Sequence, residues 1–181
     1  MSAIRLRGAT SGTTDVVAAA IAGDGVLTLP SGTGTLLKAE GGKILQIVRA
    51  TDVTSRSTSS TSFVDVTGMS VTITPQVSTS IILVWAIFFG SGGGSVAGDR
   101  GKFQITLADN STLSGAESSY LGSTAYIENM QSQISLLGRH APASTAAITY
   151  KMRFGTTAGS ATATIGNNTN TGQVYAIEVS T

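Results

Sequence analysis

His140 is the only histidine in the chain, and a lone imidazole needs partners before it can do chemistry. Arg139, Ala141 and Pro142 place it in a turn, where a solvated side chain is expected. No HxH or HxxxH spacing offers a second ring nitrogen to a metal. Serine and aspartate are present for a Ser-His-Asp relay, but no GxSxG elbow singles out a nucleophile. The carboxylates Asp99, Asp109, Glu117 and Glu128 are scattered and form no acid/base pair. Asp99 and Asp109-Asn110 could meet a cation in a loop, yet the DxDxDG pattern of a calcium loop is missing. A phosphate cradle would need GxxxxGK[ST] leading into a helix. The segment Gly90 to Gly101, GSGGGSVAGDRG, lacks that motif and leads into a strand, so it reads as a surface loop or mobile flap. Tyr120, Tyr126 and Tyr175 could offer rings to a sugar, although strand tyrosines serve more often as core edges or interface anchors. No catalytic, cofactor-binding or metal-binding residue is assigned, and the reading is non-enzymatic.

Composition narrows the classes further. Hydrophobic residues make up 41% of the 181 and charged residues only 12%, about half the globular norm of roughly 25%. Ser, Thr, Asn, Gln and Gly must therefore cover most of the surface, which suits pleated sheet. The formal net charge is +1 with the signs interspersed. Without a basic stripe, a nucleic-acid partner has no electrostatic support. Cysteine is absent, which excludes disulfides, thiolate zinc sites and thiol catalysis. Met1 to Arg7 is not followed by a signal-peptide core. The most apolar run, Ile81 to Phe89, is far shorter than the roughly 20 residues of a membrane-spanning helix, so no membrane partner is expected.

The elements that would position any site are short strands. Ile148, Tyr150, Met152 and Phe154 alternate with Thr149, Lys151 and Arg153, the period of two of a half-buried antiparallel strand. The same pattern and intervening turn residues predict strands at 44–49, 62–66, 69–74, 81–89, 102–107, 124–128, 133–137, 147–154, 161–165 and 173–179. Thr67-Gly68 is expected to turn the chain between the second and third of these. Many short, evenly spaced strands indicate an all-β, jelly-roll-like sandwich. Composition shifts at Gly41-Gly42. Residues 1–42 are expected to be an extended N-terminal arm or short β-stalk, and 43–181 the head. The arm holds Arg5 and Arg7, the apolar Val16, Val17 and their neighbours to Ala22, and a strand-like Val26, Leu27 and Leu29. It cannot build its own core and must lie on a partner.

Ile81 to Phe89 is apolar on both faces. Ile81, Leu83, Trp85, Ile87 and Phe89 share one side and Ile82, Val84, Ala86 and Phe88 the other. An outer strand of a monomeric sandwich does not tolerate two apolar faces, so self-association is expected. Ile82, Val84, Trp85 and Phe88 are the residues expected at that oligomer interface.

Residues 8–37, GATSGTTDVVAAAIAGDGVLTLPSGTGTLL, resemble a short element of tailed-bacteriophage virion proteins, with Gly-rich turns around an AG…TLTLP…GTL cadence. Residues 66–91, VTGMSVTITPQVSTSIILVWAIFFGS, resemble the β-rich heads of phage fibre and decoration proteins. Together the two stretches cover less than half of the chain. The resemblance implies a virion structural protein, commonly a homotrimer with a jelly-roll-like head. A capsid decoration or cement protein would grip the major capsid protein through residues 1 to about 40, by way of Arg5, Arg7, Val16, Val17, Val26, Leu27 and Leu29. A short tail fibre would instead join a tail component and bind a host glycan. The absence of a long repetitive shaft favours decoration.

Overall fold

The computed structural model describes residues 3–7, 13–17, 42–123, 125, 129–168 and 170–181. The chain divides into two units, Met1–Lys38 and Ala39–Thr181. In the first, β1 (Ala3–Arg7) pairs antiparallel with β2 (Thr13–Val17), Ala3 opposite Val17 and Arg7 opposite Thr13. Arg5, Arg7, Val16 and Val17 thus stand on a two-stranded ribbon. Val26, Leu27 and Leu29 lie outside the described residues.

The second unit is all-β. Its strands are β3 (Ile44–Asp52), β4 (Ser55–Thr58), β5 (Val64–Ile73), β6 (Ile81–Gly94), β7 (Gly101–Leu107), β8 (Ser119–Leu121), β9 (Asn129–His140), β10 (Ile148–Thr156), β11 (Ala161–Gly166) and β12 (Gly172–Val179). One sheet has the order β5-β10-β7-β8. The other runs β3-β12-β6-β11-β4, with β9 also paired to β6. The described pairings are antiparallel. The chain changes sheet from β4 to β5, from β5 to β6, from β6 to β7, from β8 to β9, from β9 to β10 and from β10 to β11. This repeated crossing makes the sandwich jelly-roll-like rather than a pair of stacked meanders.

The period of two fills the space between the sheets. Met69, Val71 and Ile73 of β5, Tyr150, Met152 and Phe154 of β10, and Phe103 and Ile105 of β7 point inward from one layer. Ile82, Val84, Ala86 and Phe88 of β6, Ile165 of β11, and Val174 and Ala176 of β12 meet them from the other. Phe88 and Phe103 pack with ring centroids 5.3 Å apart, a tilted aromatic contact that adds to simple burial.

Several sequence expectations are corrected here. Ile82, Val84 and Phe88, expected at an oligomer interface, are at most 1% exposed within one chain. They fill the core because the second sheet covers that face of β6, and only Trp85 of the four faces outward. The turn expected at Thr67-Gly68 is a bulge inside β5. Gly68 has φ of +92°, and the pairing with β10 slips between Lys151 and Arg153. Gly90 to Gly94 is not a flap but the last third of β6, paired with β11 on one side and β9 on the other. The cause is close approach. A Cβ on Gly92 would stand 2.4 Å from the Leu121 carbonyl oxygen and 2.5 Å from the Gly101 nitrogen. His140, expected in a solvated turn, ends β9 half-buried, its Nδ1 2.8 Å from the Tyr150 hydroxyl. Strands β4 and β8 were not expected, and of the expected strand 124–128 only Ala125 is described.

Candidate assembly and binding face

The outward side of the larger sheet carries what the core does not use. Register aligns its side chains in rows across β3, β12, β6 and β9. The first row is Ile47, Ile177, Leu83 and Arg139, and the second Arg49, Tyr175, Trp85 and Leu137. The third is Thr51, Gln173, Ile87 and Ser135. Ile47 is 56% exposed, Leu137 53% and Trp85 39%. No carboxylate stands in these rows.

The second row is held in place by polar contacts at its edges. Trp85 and Tyr175 lie 6.2 Å apart between ring centroids. Trp85 Nε1 donates to Ser135 Oγ at 2.7 Å, and the Arg49 guanidinium lies 5.8 Å from the Tyr175 ring centroid. Gln173 Oε1 accepts from Arg49 Nε at 3.0 Å and from the Tyr175 hydroxyl at 2.6 Å. Both acceptor positions of that oxygen are filled, so the Gln173 amide offers its NH2 group outward.

Beyond the third row the sheet forks. β12 accompanies β6 as far as Gln173 opposite Ile87, and β11 takes over at Ile165 opposite Gly90. Among the described residues, Phe88 and Phe89 have no strand partner on that side, and Asn170 and Thr171 of the connection from β11 to β12 border the gap. Phe88 turns into the core. Phe89 turns outward, its ring against the Gly166 backbone, so that a Cβ there would lie 3.0 Å from Phe89 Cδ1. The result is a depression of about 290 Å³ lined by Phe89, Gln133, Asn170, Thr171 and Gln173. Asn167 anchors the connection. Its Nδ2 donates to Asp52 Oδ2 at 2.8 Å, and Arg56 pairs with the same carboxylate. Burial would raise the Asp52 pKa, but the hydrogen bonds from Arg56 and Asn167 outweigh it and hold the carboxyl below its ordinary value.

Other candidate chemistry does not converge. Tyr120 is on β8 and Tyr175 on β12, in different sheets, and Tyr126 lies outside the described residues. Asp99 closes the turn after β6, accepting from the Val96 amide and Ser160 Oγ. Asp109 accepts from the amide and hydroxyl of Ser111. Among the described residues, no group of three His, Asp or Glu side chains could hold a metal, and no helix is long and apolar enough to cross a membrane. Gln133, Asn170, Thr171 and Gln173 were missed from sequence because hydroxyls abound in this chain and no motif singles out an isolated amide.

No family model and no curated protein matches the chain. Among solved structures, it is similar to the VP2 protein of infectious bursal disease virus in derived T=1 particles. The TM-score is 0.39 at 13% identity, covering 93% of this chain and 44% of that one. A VP2 subviral particle of the same virus gives a TM-score of 0.39 at 14% identity, covering 86% and 42%. The chain thus spans less than half the length of these proteins, and likeness of this degree does not identify a family.

Proposed function

We propose that this chain is a non-enzymatic structural protein of a tailed-phage virion, a homotrimer that decorates and cements the capsid exterior. The observation that carries the assembly role is the outward apolar face built from Ile47, Ile177, Leu83, Trp85 and Leu137. Four strands spaced about 4.8 Å apart and three rows make a face of roughly 300 Å², apolar except at Arg49, Arg139, Thr51, Gln173 and Ser135, and contiguous apolar surface of this kind on a soluble protein often serves binding. Its make-up, aromatic and aliphatic at the centre with arginine and amides around, is that of an interface. The patch is smaller than the roughly 800 Å² per partner of a stable complex, so neighbouring strand edges join the contact. A twofold contact would bury Arg49 and Arg139 against a copy of a face that has no carboxylate. A threefold ring joins two different surfaces and avoids this.

In this reading residues 1–42 attach the head, residues 43–181, to the major capsid protein. Ile47→Asp with Leu137→Asp is expected to give a folded monomer where the parent is a trimer by light scattering. A parent that stays monomeric at micromolar concentration overturns the oligomer. Removal of residues 2–40 is expected to leave a folded head that no longer joins particles. Copy number decides placement: hundreds per virion support decoration, whereas a few to some tens would replace it with the tail-fibre reading.

A further inference from the structure

The depression at the fork of the larger sheet has a chemistry of its own, separate from the apolar rows. We infer that it binds a single neutral pyranose ring, a sugar subsite formed by Phe89, Gln133, Asn170, Thr171 and Gln173. This goes beyond the assembly role: the depression shares only Gln173 with the third row and otherwise lies past it, at the end of the face away from Ile47, Ile177 and Leu83.

A neutral pyranose has an apolar C–H face and a rim of hydroxyls, each both donor and acceptor. The depression has a matching division. Phe89 is held against the Gly166 backbone and offers an apolar ring that has little freedom to lose on binding. Around it stand two amides with no hydrogen-bond partner among the described residues, Gln133 and Asn170, each bringing a carbonyl acceptor and two N–H donors. The Gln173 amide is fixed as a donor because Arg49 and Tyr175 occupy its oxygen. Thr171 adds a hydroxyl. The lining therefore brings both donors and acceptors to the edge of one ring, as vicinal hydroxyls require.

Charge sets the class. Among the described residues, no ionised side chain lines the depression, so a phosphate or carboxylate placed there would lose hydration without gaining a counter-charge from them. The volume, about 290 Å³, is at the lower limit of ligand sites, roughly 300–1,000 Å³. It suits one ring rather than a buried oligosaccharide. The two ends of a longer glycan would leave over open surface, so single-site affinity is millimolar and several copies would add avidity.

The test is a nitrogen-15 NMR titration of the full chain with methyl glycosides of glucose, galactose, mannose and N-acetylglucosamine. Sialic acid, a uronic acid and adenosine run alongside. At least one neutral glycoside is expected to shift the side-chain amide signals of Gln133, Asn170 and Gln173. Phe89→Ala should weaken that binding roughly tenfold or more, as loss of a central aromatic anchor does. Gln133→Ala, a change at an exposed residue that leaves the fold intact, should weaken it severalfold and covers the case in which Phe89→Ala misfolds. Silence from every neutral glycoside at tens of millimolar overturns the site. So do shifts confined to sialic acid, the uronic acid or adenosine, and so does binding that Gln133→Ala leaves unchanged. None of these outcomes bears on the oligomeric state, which light scattering reads separately.

Discussion

Replacing Glu178 by glutamine should remove a staple between the two edges of the core and change how stability depends on pH. Glu178 is 0% exposed on β12. Its carboxylate accepts from Gln46 Nε2 at 2.6 Å, from the Gln76 amide at 2.8 Å and from the Val77 amide at 3.1 Å. Ser80 Oγ lies 2.6 Å from it and 2.6 Å from the Val77 carbonyl oxygen. The hydroxyl has one proton, which we assign to the charged acceptor. Burial alone would raise the carboxyl pKa, but the bonds from Ser80, Gln46 and the two amides outweigh it and bring it from 4.5 to about 2. At 1.36 kcal/mol per unit, that difference amounts to about 3 kcal/mol. This is a ceiling, because a protonated Glu178 could donate to Ser80 while Ser80 turns to Val77.

The folded pKa is below the unfolded one, so the contribution is complete above the unfolded value of 4.5 and is lost as pH falls through about 2. Glu178→Gln keeps the shape but turns an NH2 group toward donors. It should cost about 2–3 kcal/mol at neutral pH, a fall in Tm of roughly 5–10 °C for a domain of this size. The diagnostic quantity is the gap between parent and variant in urea melts from pH 7 down to pH 2, in which the other carboxylates cancel. That gap should shrink as pH drops below 4.5. A gap that stays constant, or a variant as stable as its parent at neutral pH, would refute the assignment of an ionised, hydrogen-bonded carboxylate.

Three further outcomes follow from the packing. Phe88→Ala should cost about 3–5 kcal/mol in denaturant melts while Val96→Ala, at an exposed position in the turn after β6, stays within roughly 0.5 kcal/mol of the parent; an equally small cost at Phe88 would mean that its face of β6 is not the core. Gly92→Ala should destabilise by about 1–3 kcal/mol, the range for overpacking, because its Cβ meets backbone at Leu121 and Gly101, and an unchanged Tm would restore the flap reading of that segment. Burial holds His140 below its ordinary pKa, so its NMR titration midpoint should lie below 6.5, with the stability it contributes present above that value and lost as pH falls through the midpoint; a midpoint above 6.5 would contradict the packing against Tyr150.

What could be read from the sequence is what depends on neighbours two residues away. Alternation in 147–154 and 69–74 announces strands, and the strands are there, because the rule that puts Tyr150 and Met152 on one side is local. Ile81 to Phe89 shows where that rule stops. When both alternating sets are apolar, periodicity cannot say which set is core, and three of the four residues assigned to an interface proved to be interior. A weak signal was available: Trp85 has an N–H that needs a partner, and outward placement beside Ser135 supplies one. The glycines from Gly90 to Gly94 fail for a different reason. Glycine in a loop and glycine under a close crossing look alike in sequence, and only the positions of Leu121 and Gly101 separate them. The candidate sugar site was the least legible of all. Gln133, Asn170 and Gln173 are ordinary amides with no motif around them, and Gln133 is far in sequence from the other two. What makes them a site is a handover of partners along one edge of β6, from β12 to β11, which leaves Phe89 facing a gap. Such a fork is a property of topology, so chemistry of this kind becomes visible only once strand order is known.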